Sequence, residues 1–231
     1  QYCQIKGIKG VDIGDIYLGN GVSELITMSM QGLLDNGDEI LVPSPDYPLW
    51  TASVTLAGGK AVHYMCDEQN EWNPDIDDIK KKITPKTKGI VIINPNNPTG
   101  YLYTRAEMNR IRDMVKKYDL YLFSDEVYRE FIYTGSPYIS ALNLEGIENN
   151  VVLVDSVSKR YSECGIRIGA LVTRNADVRR AVMKFCQARL SPPLLGQIVA
   201  EESIEGTEDY AADVYEEYVE RRKCLVDGLN R

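Results

Sequence analysis

Histidine is nearly absent from this sequence, because His63 is the only one among 231 residues. A zinc site built from several histidines is therefore excluded, and a catalytic triad that depends on histidine is disfavoured. The five cysteines lie far apart and include no Cys-x-x-Cys pair, so neither a disulfide framework nor a zinc ribbon is indicated. We interpret them as reduced thiols of a cytoplasmic protein.

Long apolar runs and an excess of positive charge are missing as well. No stretch approaches the roughly 18–20 apolar residues of a membrane-spanning helix, and no signal peptide is visible. With 26 Lys and Arg against 34 Asp and Glu, the net charge is −8. This balance argues against nucleic acid and membranes as main partners. The 44% hydrophobic content is that of an ordinary globular protein, and the length suits one large domain, or one domain and part of another.

Short β-branched runs alternate with helical segments, which is typical of an α/β fold with a parallel sheet. The predicted strands are 39–42, 60–64, 89–93, 120–124, 151–155 and 168–173. The predicted helices are about 21–34, 74–82, 104–118 and 176–190, followed by a long C-terminal helix that Thr207 can cap. The clearest helix start is the capping box of Thr104 and Glu107.

Polar residues follow the predicted strands at their carboxyl ends, which is where ligands bind in open α/β sheets. A further group, rich in glycine, begins the helix near residue 21. We therefore expect these residues to converge on one rim of the sheet. In chain order they are Gly21, Val22, Ser23, Asn97, Asp125, Tyr128, Ser156, Ser158, Lys159 and Arg167.

The chemistry of this set matches pyridoxal 5'-phosphate. A helix N-terminus with a neighbouring arginine offers a site for the phosphate. A desolvated lysine such as Lys159 forms a Schiff base with an aldehyde, and a buried carboxylate such as Asp125 keeps a pyridine nitrogen protonated. Asn97 and Tyr128 can hydrogen-bond a ring hydroxyl, while Tyr47 can stack on the ring face.

Four motifs make the sequence similar to a known family, the class I/II aminotransferases, which are fold-type I pyridoxal-phosphate enzymes. They are G-N-G-V-S-E-L at 19–25, P-D-Y-P-L-W-T at 45–51, N-P-N-N-P-T-G at 94–100 and S-V-S-K-R-Y at 156–161. The first three resemble bacterial-type alanine aminotransferases, and the fourth is closer to aspartate aminotransferases. The resemblance extends along nearly the whole chain and implies a three-layer α/β/α fold with a mostly parallel sheet.

The resemblance also implies a role for each site residue. Lys159 would carry the cofactor as a Schiff base and shuttle the proton, Asp125 would pair with the pyridine nitrogen, and Tyr128 and Asn97 would bind the ring hydroxyl. Tyr47 would stack on the ring. The residues implied around the phosphate are Gly21, Val22, Ser23, Ser156, Ser158 and Arg167.

The implied activity is ping-pong transamination between an α-amino acid, alanine or aspartate, and a 2-oxo acid such as 2-oxoglutarate. A cytoplasmic homodimer is the implied setting, and no metal is expected. Two alternatives stay open. One is a C–S β-lyase on the same fold, and the other is a ligand-sensing domain of a transcription regulator.

Members of this family extend further at both ends, and this chain starts at Gln1 without a methionine. We expect residues 1–206 to be the cofactor-binding large domain without its N-terminal part, and residues 207–231 to begin a helix that leads to a small domain. The arginine that binds the α-carboxylate of the substrate would then lie outside this chain. We therefore expect the isolated chain to show little or no turnover. Cys164 is predicted to be a buried inert thiol and His63 to be structural.

Overall fold

An eight-stranded sheet forms the centre of the computed structural model, which describes residues 2–206 and 210–230. The strand order is β1-β8-β7-β6-β5-β2-β3-β4. The strands are β1 Ile16–Asn20, β2 Glu39–Ser44, β3 Lys60–Asp67, β4 Asn73–Pro74, β5 Thr87–Ile93, β6 Tyr121–Asp125, β7 Val151–Ser156 and β8 Ile168–Val172. The five strands from β7 to β3 run parallel, whereas β8, β1 and β4 pair antiparallel with their neighbours. The sheet is therefore mostly parallel, as predicted.

Helices cover both faces of this sheet. They are α1 Tyr2–Ile5, α2 Val22–Leu33, α3 Leu49–Leu56, α4 Ile76–Lys82, α5 Arg105–Tyr118, α6 Val157–Arg160, α7 Ala176–Arg189, α8 Leu194–Glu205 and α9 Tyr210–Leu229. Along β5, Ile90 and Ile92 pack in one core cluster with α4 and α5, and Val91 and Ile93 pack in a second cluster with α2, α3 and α7. Because successive side chains of a strand point to opposite faces, this alternation gives the predicted three layers.

Each predicted strand coincides with an observed one, and α2, α5 and α7 lie where predicted. The capping box is present, with the Thr104 side chain bonded to the Glu107 amide and the Glu107 side chain bonded to the Thr104 amide. Pro74 does not begin α4 as predicted. It lies in β4, where it pairs with Cys66 of β3, and the helix begins after Asp75. The sequence pattern did not predict β1, β4, α3 or α8. The predicted cap Thr207 lies outside the described residues.

The register of the parallel strands places their carboxyl ends side by side. Ile93 of β5 lies opposite Asp125 of β6, and Asp125 lies opposite Val154 of β7. The loops that follow these three strands therefore leave the sheet at one edge, where the predicted site residues lie. In the ranges that the structure describes, no helix has the length and apolar character needed to cross a membrane.

Candidate active site

A cleft of about 520 Å³ opens at this edge of the sheet. Four predicted site residues line it, namely Asn97, Tyr128, Ser158 and Lys159. The other lining residues come from the loop after β5, the segment after β6, the region after α6, and α9. They are Pro95, Asn96, Pro98, Gly100, Phe131, Tyr133, Ser162, Cys164 and Tyr218.

Lys159 and Tyr128, which follow different strands of the sheet, meet in this cleft. The Nζ atom of Lys159 lies 5.9 Å from the centroid of the Tyr128 ring. Lys159 belongs to the single-turn helix α6, whose N-cap is Ser156. The Ser156 hydroxyl accepts a hydrogen bond from the amide of Ser158 at 3.0 Å. The lysine amine is thus presented to the cleft by a capped turn at the end of β7.

Asp125 ends β6 and is 5% exposed. The indole Nε1 of Trp50 donates a hydrogen bond to its Oδ2 at 3.3 Å, and the amide of Val127 donates one to its Oδ1 at 3.3 Å. Burial raises the pKa of Asp125 to about 6, and the neighbouring carboxylates of Asp155 and Glu126 act in the same direction. Sequence reasoning did not select Trp50, although it lies in the same proline-rich motif as Tyr47.

The N-terminus of α2 lies against Arg167. Gly21 precedes the helix with φ +77°, and a Cβ built on it would stand 2.2 Å from Nη2 of Arg167. A Cβ on Gly169 would stand 2.7 Å from the amide nitrogen of Val22. The guanidinium also donates a hydrogen bond to the carbonyl of Cys164 at 2.8 Å. Backbone amides and a guanidinium together form an environment that favours an anion.

Ser156 is connected to this helix end through the sheet. It lies opposite Gly169 in the β7–β8 ladder, and Gly169 packs against Gly21. The hydroxyl of Ser156 lies 2.7 Å from that of Ser158 and 3.0 Å from the carbonyl of Ile168. The hydroxyl groups predicted for the phosphate are therefore adjacent to the predicted helix N-terminus.

Tyr47 and Asn97 lie on two loops at the same end of the sheet. Tyr47 is half-buried against the core cluster that contains α3, and its carbonyl accepts a hydrogen bond from the amide of Trp50 at 3.0 Å. Asn97 is half-buried and follows Asn96, whose side-chain oxygen accepts a hydrogen bond from the Thr99 hydroxyl at 2.9 Å. Tyr47, Gly21, Asp125 and Arg167 are outside the set that lines the cleft.

Sequence reasoning did not predict the buried ion cluster that lies beside the cleft. Arg129 donates to Asp155 Oδ2 at 2.6 Å, and Arg160 donates to Asp155 Oδ1 at 2.8 Å and to Oδ2 at 2.6 Å. Arginines are mostly exposed in proteins, and nothing in the local pattern marks these two as buried. Arg160 reaches Asp155 through the turn that follows β7, whereas Arg129 reaches it because β6 lies beside β7.

One prediction about a single residue, Cys164, needs correction. Cys164 is exposed and lines the cleft rather than being buried, because the turn Cys164–Ile166 lies outside the core. His63 lies on the exposed side of β3, with its Nε2 atom 2.9 Å from the hydroxyl of Thr51. Among the described residues, no group of three or more His, Cys, Asp or Glu side chains is arranged to hold a metal ion.

Comparisons with known proteins agree on one family. The sequence profile described as "Aminotransferase class I and II" matches residues 7–231. The glutamate-pyruvate aminotransferase AlaA of Haemophilus influenzae is 52% identical over 174 residues, which are 74% of this chain and 42% of that relative. A solved alanine aminotransferase from Pyrococcus furiosus has a TM-score of 0.89 at 37% identity, over 97% of this chain and 58% of that one. A solved aminotransferase from Escherichia coli has a TM-score of 0.85 at 40% identity, over 93% and 54%. The chain thus spans less than half of the curated relative.

Proposed function

The chain belongs to the class I and II aminotransferases, and we propose that it holds the cofactor of an enzyme that transfers amino groups from an α-amino acid to a 2-oxo acid. The cofactor would be pyridoxal phosphate. The proposal is supported by the family match over residues 7–231 and by the meeting of the Lys159 amine with Tyr128 above the end of β7. Residues 1–206 would be the large domain, and the helix beyond residue 207 would lead out of it.

The residues present fit this cofactor at both of its charged ends. At one end, the Arg167 guanidinium fills the space that a side chain at residue 21 would occupy, so a phosphate would meet backbone amides and a fixed positive charge. At the other end, Asp125 is a buried carboxylate with a raised pKa and uncharged donors. Within the described part of the chain, the hydrogen-bond donors to this carboxylate are uncharged, and a protonated ring nitrogen would supply a cationic partner.

The remaining roles follow from position. Pyridoxal phosphate supplies an aldehyde that condenses with amines and a ring that withdraws electrons. Lys159 would bind the aldehyde carbon through Nζ and would afterwards hold and return the proton at the substrate Cα. Asn97 and Tyr128 would donate hydrogen bonds to the ring hydroxyl. Tyr47 would cover one ring face, and Ser156 and Ser158 would assist at the phosphate.

For the substrate, we propose alanine as the amino donor and 2-oxoglutarate as the acceptor, in preference to aspartate. Support comes from the relative named glutamate-pyruvate aminotransferase and from the solved alanine aminotransferase. A cytoplasmic location is proposed with it.

Assembly as a homodimer is proposed from the exposed apolar side chains beside a second cavity of about 260 Å³, which lies between β1 and α7. Ile13 is 93% exposed and Leu190 is 74% exposed, and Leu194 and Leu195, which follow shortly after in the chain, are exposed as well. Apolar patches of this kind drive association. Light scattering of the purified protein tests the assembly, and a monomer at micromolar concentration would contradict it.

Chemical capture tests the central claim. When the protein is mixed with pyridoxal phosphate and reduced with borohydride, peptide mass spectrometry should find the label on Lys159. The variant Lys159→Arg should lose it, whereas Lys86→Arg, which alters an exposed lysine after α4, should keep it. A label confined to other lysines in folded protein would overturn the proposal.

A screen of products separates the alternatives. Transamination requires a 2-oxo acid and yields a new amino acid, whereas a β-lyase releases pyruvate and ammonia from a sulfur-containing amino acid without an acceptor. A sensor domain would bind the cofactor and an amino acid without turnover. Alanine-dependent formation of glutamate from 2-oxoglutarate is the expected result, measured on the whole protein.

A further inference from the structure

The single turn that carries Lys159 has too little structure of its own to hold the lysine in place. A helix of four residues makes at most one turn of hydrogen bonds, and isolated turns are unstable in water. Within the turn, the backbone amide of Tyr161 donates a hydrogen bond to the carbonyl of Val157 at 3.0 Å. Something outside the turn must therefore fix its position.

A carboxylate and a guanidinium clamp this turn at its two ends. Asp155 precedes the N-cap and accepts a hydrogen bond from the Ser156 amide at 2.8 Å, while Arg160 is the last residue of α6. Nη2 of Arg160 donates to both oxygens of Asp155, at 2.8 and 2.6 Å. The two side chains are 9% and 5% exposed. Lys159, next to Arg160, points instead to the cleft.

The same carboxylate is tied to the other half of the site. Arg129 donates to Asp155 Oδ2 at 2.6 Å and lies 3.5 Å from Glu126 Oε2. Glu126 directly follows Asp125, is fully buried, and accepts hydrogen bonds from the Ser140 hydroxyl and the Ala141 amide. Arg129 directly follows Tyr128, so one short segment carries the residues proposed to bind the ring.

The cluster is also balanced in charge. Three carboxylates, Glu126, Glu130 and Asp155, face three cations, Arg129, Arg160 and Lys6, with contacts of 2.6–3.6 Å. Although burial opposes ionisation, the two guanidiniums hold the pKa of Asp155 below its ordinary value. A buried ion pair of this kind contributes little to stability relative to apolar packing, and its better supported use is to specify geometry.

We propose that Asp155, Arg129 and Arg160 are positioning residues that hold the Lys159 turn in register with the Asp125–Tyr128 segment. This proposal rests on the function proposed above. The three side chains join the end of β7 to the segment after β6 through one shared carboxylate. None of the three is among the residues that line the cleft, so they would act through Lys159, Asp125 and Tyr128.

The variant Arg160→Lys tests this positioning role. Lysine keeps the charge but cannot donate to both oxygens in the planar geometry of a guanidinium. In the whole protein, we expect the rate of borohydride-trapped labelling of Lys159 at saturating pyridoxal phosphate to fall about tenfold, because small misplacements of a reacting group are costly. In cofactor-free protein, amide hydrogen exchange at Ser158 and Tyr161 should rise by a similar factor.

Arg179→Lys provides the matched control. Arg179 donates to Asp15 at 2.6 Å, so the variant makes the same change of donor geometry in an ion pair. The Arg179 side chain is more exposed than that of Arg160, and its pair joins α7 to the turn before β1, away from the Lys159 turn. Its labelling rate and the exchange of the two amides should equal those of the parent.

The double variant Asp155→Leu with Arg160→Met removes two opposite charges together. It should still unfold cooperatively, and its Lys159 should be labelled as slowly as that of Arg160→Lys.

The outcomes separate the two proposals. If the parent is not labelled at Lys159, the proposed function fails. If the parent is labelled and Arg160→Lys labels at the same rate with unchanged exchange, only the positioning role fails. If Arg160→Lys does not fold, the double variant decides: labelling of its Lys159 at the parent rate, or its failure to fold as well, would overturn the positioning role.

Discussion

The guanidinium of Arg167 occupies the space in which Gly21 would carry a side chain. A Cβ on Gly21 would stand 2.2 Å from Nη2 and 2.9 Å from Cζ of Arg167. Gly21 also has φ +77°, a conformation that residues with a side chain rarely adopt. The start of α2 thus needs glycine for two reasons, and both concern the place that we propose for the phosphate.

Gly21→Ala should weaken the binding of pyridoxal phosphate at least about tenfold, because the methyl group displaces the guanidinium from the helix end. Gly135→Ala is the control, since Gly135 has φ +69° and nothing within 4 Å of a built Cβ. Both variants should lose about 1–2 kcal/mol of stability from the positive φ. A titration followed by absorbance measures the affinity, and equal affinities for the two variants would contradict the assignment.

Asp125 should make the stability of the cofactor-free protein depend on pH. Its pKa is about 6 in the folded protein and about 3.9 when unfolded. The folded state therefore binds more protons between these values, and the free energy of unfolding should fall by about 2–3 kcal/mol as the pH rises from 4 to 7.

In Asp125→Asn this contribution should disappear. Urea unfolding at pH 4.5 and 7.5 measures it, as the difference between the variant and the parent at the two pH values. The same variant should retain the phosphate site and still lose most of its transamination, because the ring nitrogen loses its ionised partner. A parent whose stability changes with pH in parallel with the variant would show that Asp125 titrates normally.

Trp50→Phe should raise the pKa of Asp125 further. The indole N–H at 3.3 Å stabilises the ionised carboxylate, while a phenyl ring would keep the tilted contact with Phe123 and offer no donor. The pH range over which the cofactor-free protein loses stability should move upward relative to the parent. Urea unfolding across the same pH range measures the shift, and an unchanged range would rule out a contribution from the indole.

Thr104→Ala should destabilise the protein by about 1 kcal/mol through the loss of the α5 cap. The hydroxyl of Thr104 accepts a hydrogen bond from the backbone amide of Glu107 at 3.3 Å. The Glu107 carboxylate in turn accepts one from the Thr104 amide at 2.7 Å. Thr134→Ala, at an exposed loop position, should change stability by less than about 0.5 kcal/mol. Chemical denaturation compares the two.

Local patterns were sufficient for the interior of the sheet and for three of its helices. In β5 and β7, runs of buried β-branched residues between turn signals are distinctive because both faces of a parallel strand are covered. The edge strands lack that signal. β1 contains Gly19 and Asn20, and β4 has two residues, so their strand character comes from pairing with β8 and β3.

The sequence alone determined which candidate residues follow which strand and in what order along the chain, and from this order the inventory of the site was predicted. The lysine, the aspartate, the arginine and the glycine-rich helix start were all predicted in this way, and their roles stay predictions. Only the tertiary structure decided which side chains are buried and which meet. Asp125 gains Trp50 as a donor, Asp155 gains two arginines, and Cys164 is exposed in the cleft. The physical reason is that burial and most of these pairings depend on contacts between segments far apart in the chain. A local sequence pattern does not predict such contacts.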